Sequence, residues 1–141
     1  MIANTVNIAI AFNECNMKYF DGKLPIPIFD LLHSFRTCGY FHCNYKQGWF
    51  SRDLYNFCIS ITDYYDFTPE QFTDIMVHEM IHYYLAYFGI DQRCRHGKKF
   101  MAMADELNKK HHLHISKNID ISQYKRRKGT PNISYWLAQI I

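Results

Sequence analysis

Residues 68–89 read TPEQFTDIMVHEMIHYYLAYFG, and the fold of the whole chain turns on this stretch. Thr68 is placed to cap a helix. Pro69 suits the first helical position, where a missing N–H costs nothing, and Gln71 completes a capping box. Gly89 marks the stop. Between them Ile75, Met76, Val77, Met80, Ile81, Tyr83, Leu85 and Tyr87 lie all round the circumference. A helix apolar on every side belongs in the middle of a fold, so any polar residue on it needs a partner.

Three polar residues sit there together, in the pattern H-E-x-x-H: His78, Glu79 and His82. At about 100° per residue the two histidines are only about 40° apart round the helix and one turn apart along it. Both imidazoles can therefore meet one tetrahedral Zn²⁺. Glu79 projects too far round to be a natural third ligand, but close enough to act as a base on water activated by the ion. A catalytic zinc needs one more protein ligand and an open position. The compact arrangement would place glycine at 85 and histidine at 88, but the chain has Leu85 and Phe88. His96 is the next candidate. It stands four residues before Phe100, so a third helix extended back by one turn carries it on the inward stripe. Glu106 is the alternative, off the centre of that stripe.

Outward from this centre, an N-terminal helix is expected from Thr5, as cap, to Phe20, with Ile8, Phe12, Cys15 and Tyr19 on one face. Asp21-Gly22 stops it and Leu24-Pro25-Ile26-Pro27 prevents its resumption. Residues 28–35 and 40–45 read as a hairpin, and Phe57–Thr62 as a third strand of an antiparallel sheet that borders the cleft with a free edge. The third helix is expected over Gly97–His112, with Phe100, Met103, Ala104, Leu107 and His111 on its stripe. Two strand-like runs, 119–125 and 133–140, flank Gly129-Thr130-Pro131 as a C-terminal hairpin. The order is that of an α+β domain, with residues 1–112 as its body and 113–141 as a basic extension of the same domain. His111, His112 and His114 read as a solvated helix end, and His33 and His42 as structural residues of strands.

The 141 residues suit one domain. Five cysteines, an odd number with no C-x-x-C pair, argue against a disulfide scaffold and for thiols in a reducing cytoplasm. No apolar run approaches the ~20 residues of a membrane span, and no signal core is present near Met1. The net charge of +3 is uneven. Residues 1–92 hold five basic and ten acidic residues, residues 93–141 eleven and three. The densest basic run, Lys125, Arg126, Arg127 and Lys128, lies beside Tyr124, with Tyr135 and Trp136 across the expected turn. It is a candidate contact for single-stranded DNA, or equally a solvated turn.

Over residues 10–108 the sequence resembles the SprT-like family, which includes the Spartan proteases. The resemblance rests on Asn16, Tyr19-Phe20-Asp21-Gly22-Lys23-Leu24-Pro25, Gly39-Tyr40-Phe41, Ile59-Ser60-Ile61, His78-Glu79-Met80-Ile81-His82 with Tyr84, and His96-Gly97 with Phe100. It implies a zincin-like metallopeptidase domain with one zinc on His78, His82 and His96, and with Glu79 catalytic. It also implies a protein or peptide substrate; better-known members degrade proteins crosslinked to DNA. The paired C-x-x-C ribbon that many members carry has no counterpart after Cys94. Two other classes compete. A non-catalytic zinc-stabilised nucleic-acid adaptor would have no need of Glu79. A three-histidine nucleic-acid hydrolase would be expected to lack a glutamate between the histidines.

Overall fold

The computed structural model describes residues 1–93 and 95–129. Helix α1 (Thr5–Tyr19) is followed by β1 (Ile28–Leu32), β2 (Gly39–Gln47), β3 (Arg52–Thr62) and the short β4 (Tyr65–Asp66). Helices α2 (Pro69–Tyr87) and α3 (Lys98–His111) come next. A 3₁₀ turn at Ile121–Gln123 and β5 (Lys125–Arg126) close the described chain. The protein is α+β, as its sequence order implies.

Helix α2 is the centre of the molecule. Thr68 Oγ1 accepts the Gln71 N–H (3.1 Å) while Gln71 Oε1 accepts the Thr68 N–H (2.9 Å), so the capping box forms. At the other end Gly89 adopts φ +68°, and the Ile90 N–H turns back to the Leu85 carbonyl (2.8 Å). Twelve of its residues are buried, from Phe72 to Ala86, among them His78, Glu79 and His82.

The sheet departs from the expected hairpin. Its order is β1-β3-β2, with β2 antiparallel and β1 parallel to β3, so the sheet is mixed and β1 and β2 never pair. The hairpin lies instead between β2 and β3, where the Gly48 N–H bonds the Ser51 carbonyl (2.8 Å). The cause is burial. Cys58 to Thr62 are buried without alternation, so that half of β3 is covered on both faces and takes the central place. The expectation that Phe57–Thr62 has a free edge beside the cleft is therefore wrong; that edge belongs to β2. A bulge opposite Cys43 interrupts the β2–β3 ladder, where Asn56 takes φ +54° and His42 and Asn44 pair with Cys58 and Tyr55.

One core joins these layers. Phe12 of α1, wholly buried, meets Phe29 of β1 edge-on (5.5 Å) and Tyr83 of α2 (6.3 Å); Phe41 of β2 stacks on Tyr83 (5.6 Å). The α1 cap is Asn4, one residue earlier than expected, because its side chain accepts from Val6 and Asn7. Buried Asn16 grips the following loop, its Nδ2 donating to the Leu24 carbonyl (2.8 Å) and its Oδ1 accepting the Leu24 N–H (3.2 Å). Residues beyond α3 pack onto the same core. Asn108 brackets Ile115 through its carbonyl and N–H, and Tyr124 packs edge-on against Tyr65 and Phe67. The expected strand at 119–125 is instead the 3₁₀ turn followed by the two-residue β5 on β4. The second arm of the expected C-terminal hairpin lies outside the described residues.

Candidate metal centre

His78 and His82 leave α2 from one face, a turn apart. His96 reaches them from the connection before α3, not from the helix, because α3 begins only at Lys98 with Gly97 as its cap. His96 Nε2 lies 3.1 Å from His78 Nε2 and 3.0 Å from His82 Nε2. Three ring nitrogens thus converge on one point, where three uncharged imidazoles cannot satisfy one another pairwise. Two ligands of a tetrahedral zinc, each at about 2.0–2.1 Å, stand roughly 3.3 Å apart, so the donor set fits such an ion. Phe100, wholly buried on α3, packs against all three rings at 4.7–5.0 Å between centroids and holds their planes.

The electrostatics suit metal binding. Burial, then the neighbouring imidazoles, lowers His78 to about 3; burial, then His96, lowers His82 to about 4. Both are therefore neutral at ordinary pH, the state a ligand requires. Burial also lowers His96, with Lys117 adding to the effect. The nearby Ser116 backbone opposes the shift of His78, while the buried Nδ1 atoms of His78 and His82 have no hydrogen-bond partner among the described residues.

Glu79 stands apart from the three nitrogens, its Oε1 4.0 Å from His78 Nε2. It is held by the Phe41 backbone N–H of β2, and burial pushes it up to about 8. In the metal-free chain it is thus a protonated carboxyl buried beside the triad. A divalent charge at the triad would favour its ionised form.

A cleft of about 700 Å³ opens over the triad. One wall is β2, from Gly39 to Cys43, with exposed Tyr40 and His42 stacked at 5.4 Å. His42, read from sequence as structural, is a cleft residue; only the sheet order could have placed it there. Lys117 and Asn118 form part of the opposite rim. His33 instead bonds Asp63 (Nδ1 to Oδ2, 2.8 Å). Glu106 lies exposed by a separate hollow near Tyr19 and Tyr84. His111 packs on Tyr19 and His114 pairs with Asp74 (3.6 Å), and among the described residues that cluster makes no second metal group.

Lys125 and Arg126 sit on β5, paired with Asp66 and Tyr65. Arg127 donates its N–H to the Tyr64 carbonyl and its guanidinium faces Asp63 (3.5 Å). Lys128 is exposed, and none of the four lines the cleft.

The model of the SprT-like family matches residues 10–125. No curated protein and no solved structure matches the chain. Among the described residues no helix is long and apolar enough to cross a membrane.

Proposed function

The chain belongs to the SprT-like family, and on that premise we propose that it is a zinc-dependent endopeptidase with a zincin-like active site. The observation that carries the reading is the convergence of His78, His82 and His96 through Nε2 with Glu79 buried beside them. Zinc held there supplies Lewis acidity, polarising a carbonyl and acidifying water. Glu79 takes the proton of the attacking water as its oxygen adds to the scissile carbonyl carbon. It then hands that proton to the leaving nitrogen as the C–N bond breaks. The Phe41 N–H keeps the carboxylate aimed.

The edge of β2 supplies the docking rail. The Thr62 N–H bonds the Cys38 carbonyl, so Cys38, Tyr40 and His42 turn their backbone groups toward β3. Gly39 and Phe41 turn theirs outward, as the bond from Phe41 N–H to Glu79 shows. An extended peptide laid along this edge meets the Gly39 N–H and the carbonyls of Gly39 and Phe41, the Phe41 N–H being engaged by Glu79, and such contacts bind a main chain with little regard for sequence.

The test is cleavage of an unfolded protein by zinc-loaded protein, with Glu79→Gln as the control. That variant is expected to keep one zinc and lose turnover, because an amide cannot take the water's proton. A fall in zinc content with Glu79→Gln makes Glu79 a ligand and refutes the mechanism. Association with single-stranded DNA through Lys125, Arg126 and Lys128 is a separate proposal. It is tested by whether replacing them with alanine flattens the salt dependence of oligonucleotide binding.

A further inference from the structure

The walls of the cleft carry an unbalanced charge. Arg36, Arg52, Arg93 and Lys117 line it, and the one acid among its lining residues is Glu79. Glu79 is buried at the floor, whereas Arg52, Arg93 and Lys117 are exposed. None of the four cations has a carboxylate within ion-pair distance among the described residues. Arg52 is braced over the Tyr45 ring (4.7 Å) and Arg36 over Phe35 (5.3 Å), so two of the guanidinium groups are held by rings and keep their charge unneutralised. The same sign continues past Arg52 and Arg93 into an adjoining hollow of about 660 Å³, lined also by Arg95, Lys98 and Lys99 against Asp91.

The cations flank the β2 edge from both ends. Arg36 precedes β2 and Arg52 opens β3 beyond the hairpin, while Lys117 stands beside His96. A cleft lined by one sign of charge concentrates ligands of the other. We propose, resting on the peptidase reading, that this cleft selects peptide segments with aspartate or glutamate on either side of the scissile bond. A peptide fits better than a nucleic acid because the rail between the cations is a strand edge. Its alternating N–H and carbonyl groups match a main chain and have no counterpart in a phosphodiester backbone.

The experiment uses zinc-loaded full chain and three quenched fluorescent peptides that share one central sequence. Their flanking residues are Asp/Glu, the isosteric Asn/Gln, or Lys. Cleavage is read with the native chain and binding with zinc-loaded Glu79→Gln by fluorescence anisotropy. The acidic peptide is expected to bind and react about fivefold better than its amide isostere, the margin shrinking as salt rises. Arg52→Glu with Arg93→Glu is expected to invert the order in favour of the lysine peptide, a gain that mere loss of structure cannot produce. Equal binding of acidic and amide peptides, or an acidic preference that survives both substitutions, overturns the inference. So does tighter binding of a single-stranded oligonucleotide of equal charge. Acid-selective binding without cleavage supports the inference and sinks the peptidase reading.

Discussion

The space that a side chain at Gly39 would fill is taken by Glu79: a Cβ there would stand 2.9 Å from Glu79 Oε1 and 2.9 Å from Ile75 Cγ2. Gly39 does not need its backbone freedom, since its φ is not positive. What it supplies is room for the carboxylate to reach the Phe41 N–H. Gly39→Ala is therefore expected to push Glu79 off its line without touching the three imidazoles. Zinc content should hold while kcat falls about 10²-fold, the usual result of a displacement near 1 Å in a reacting group. Parallel measurement of bound zinc and turnover checks this. A variant with full activity would show that the carboxylate does not work from this position.

Phe100 is expected to govern metal affinity without being a ligand. Phe100→Leu keeps apolar volume but removes the flat ring against which all three imidazoles lie. Zinc affinity, read by competition with a chromogenic chelator, should weaken about 10-fold or more, as with other contacts that orient metal ligands. Phe100→Ala should cost about 3–5 kcal/mol of stability as well.

The metal-free protein should be most stable in mildly acidic solution, near pH ~6.5, where two histidines and one glutamate balance. His78 and His82 sit at about 3 and about 4 in the folded chain against 6.5 when unfolded. The unfolded chain therefore binds the extra protons, and stability falls as pH drops below 6.5. Glu79 acts in the opposite sense: folded at about 8 against 4.5, it retains a proton that the unfolded chain releases. Stability on its account is full below 4.5 and declines as pH rises toward 8. Glu79→Gln should flatten the alkaline limb of a Tm–pH curve and leave the acid limb in place. Identical alkaline limbs would mean that Glu79 ionises freely in the metal-free fold.

Asn16 clamps the turn after α1 by bonding Leu24 at both backbone groups, beside the Tyr83 hydroxyl that donates to the Pro25 carbonyl (2.8 Å). Asn16→Ala should lower stability by about 1–3 kcal/mol, since two buried backbone groups lose their partner. Zinc affinity should be unaffected. Thermal unfolding and metal titration of the same preparation separate the two effects.

Local signals were easy to read and long-range pairings were not. Thr68, Gln71 and Gly89 declare the ends of α2 because capping is settled within four residues, and the spacing of His78 and His82 follows from helical pitch alone. His96 was legible as a candidate but not its setting, since a loop residue and a first-turn residue differ by one cap, here at Gly97. The order β1-β3-β2 was hidden because pairing Ile28 with Cys58 spans thirty residues, and no turn chemistry announces it. Treating Cys58–Thr62 as buried on both faces, rather than as alternating, would have placed that strand in the middle. The roles of Arg127 and His33 were out of reach. Both depend on Asp63, a buried carboxylate at the end of β3 that local pattern cannot distinguish from a surface turn.

The three imidazoles also divide unequally along the chain. Two ride on a helix whose ends are fastened, while His96 belongs to the connection that leads into α3, fourteen residues after His82 (96 − 82). An ion gripping both is a removable stitch that closes a loop of that length, and closing a loop of ~15 residues by a covalent bridge is worth about 3 kcal/mol. Occupancy and the seating of α3 then become one equilibrium. Chelation would slacken Arg93 on the cleft wall together with His96, while Arg52 and the β2 edge stay where the sheet holds them.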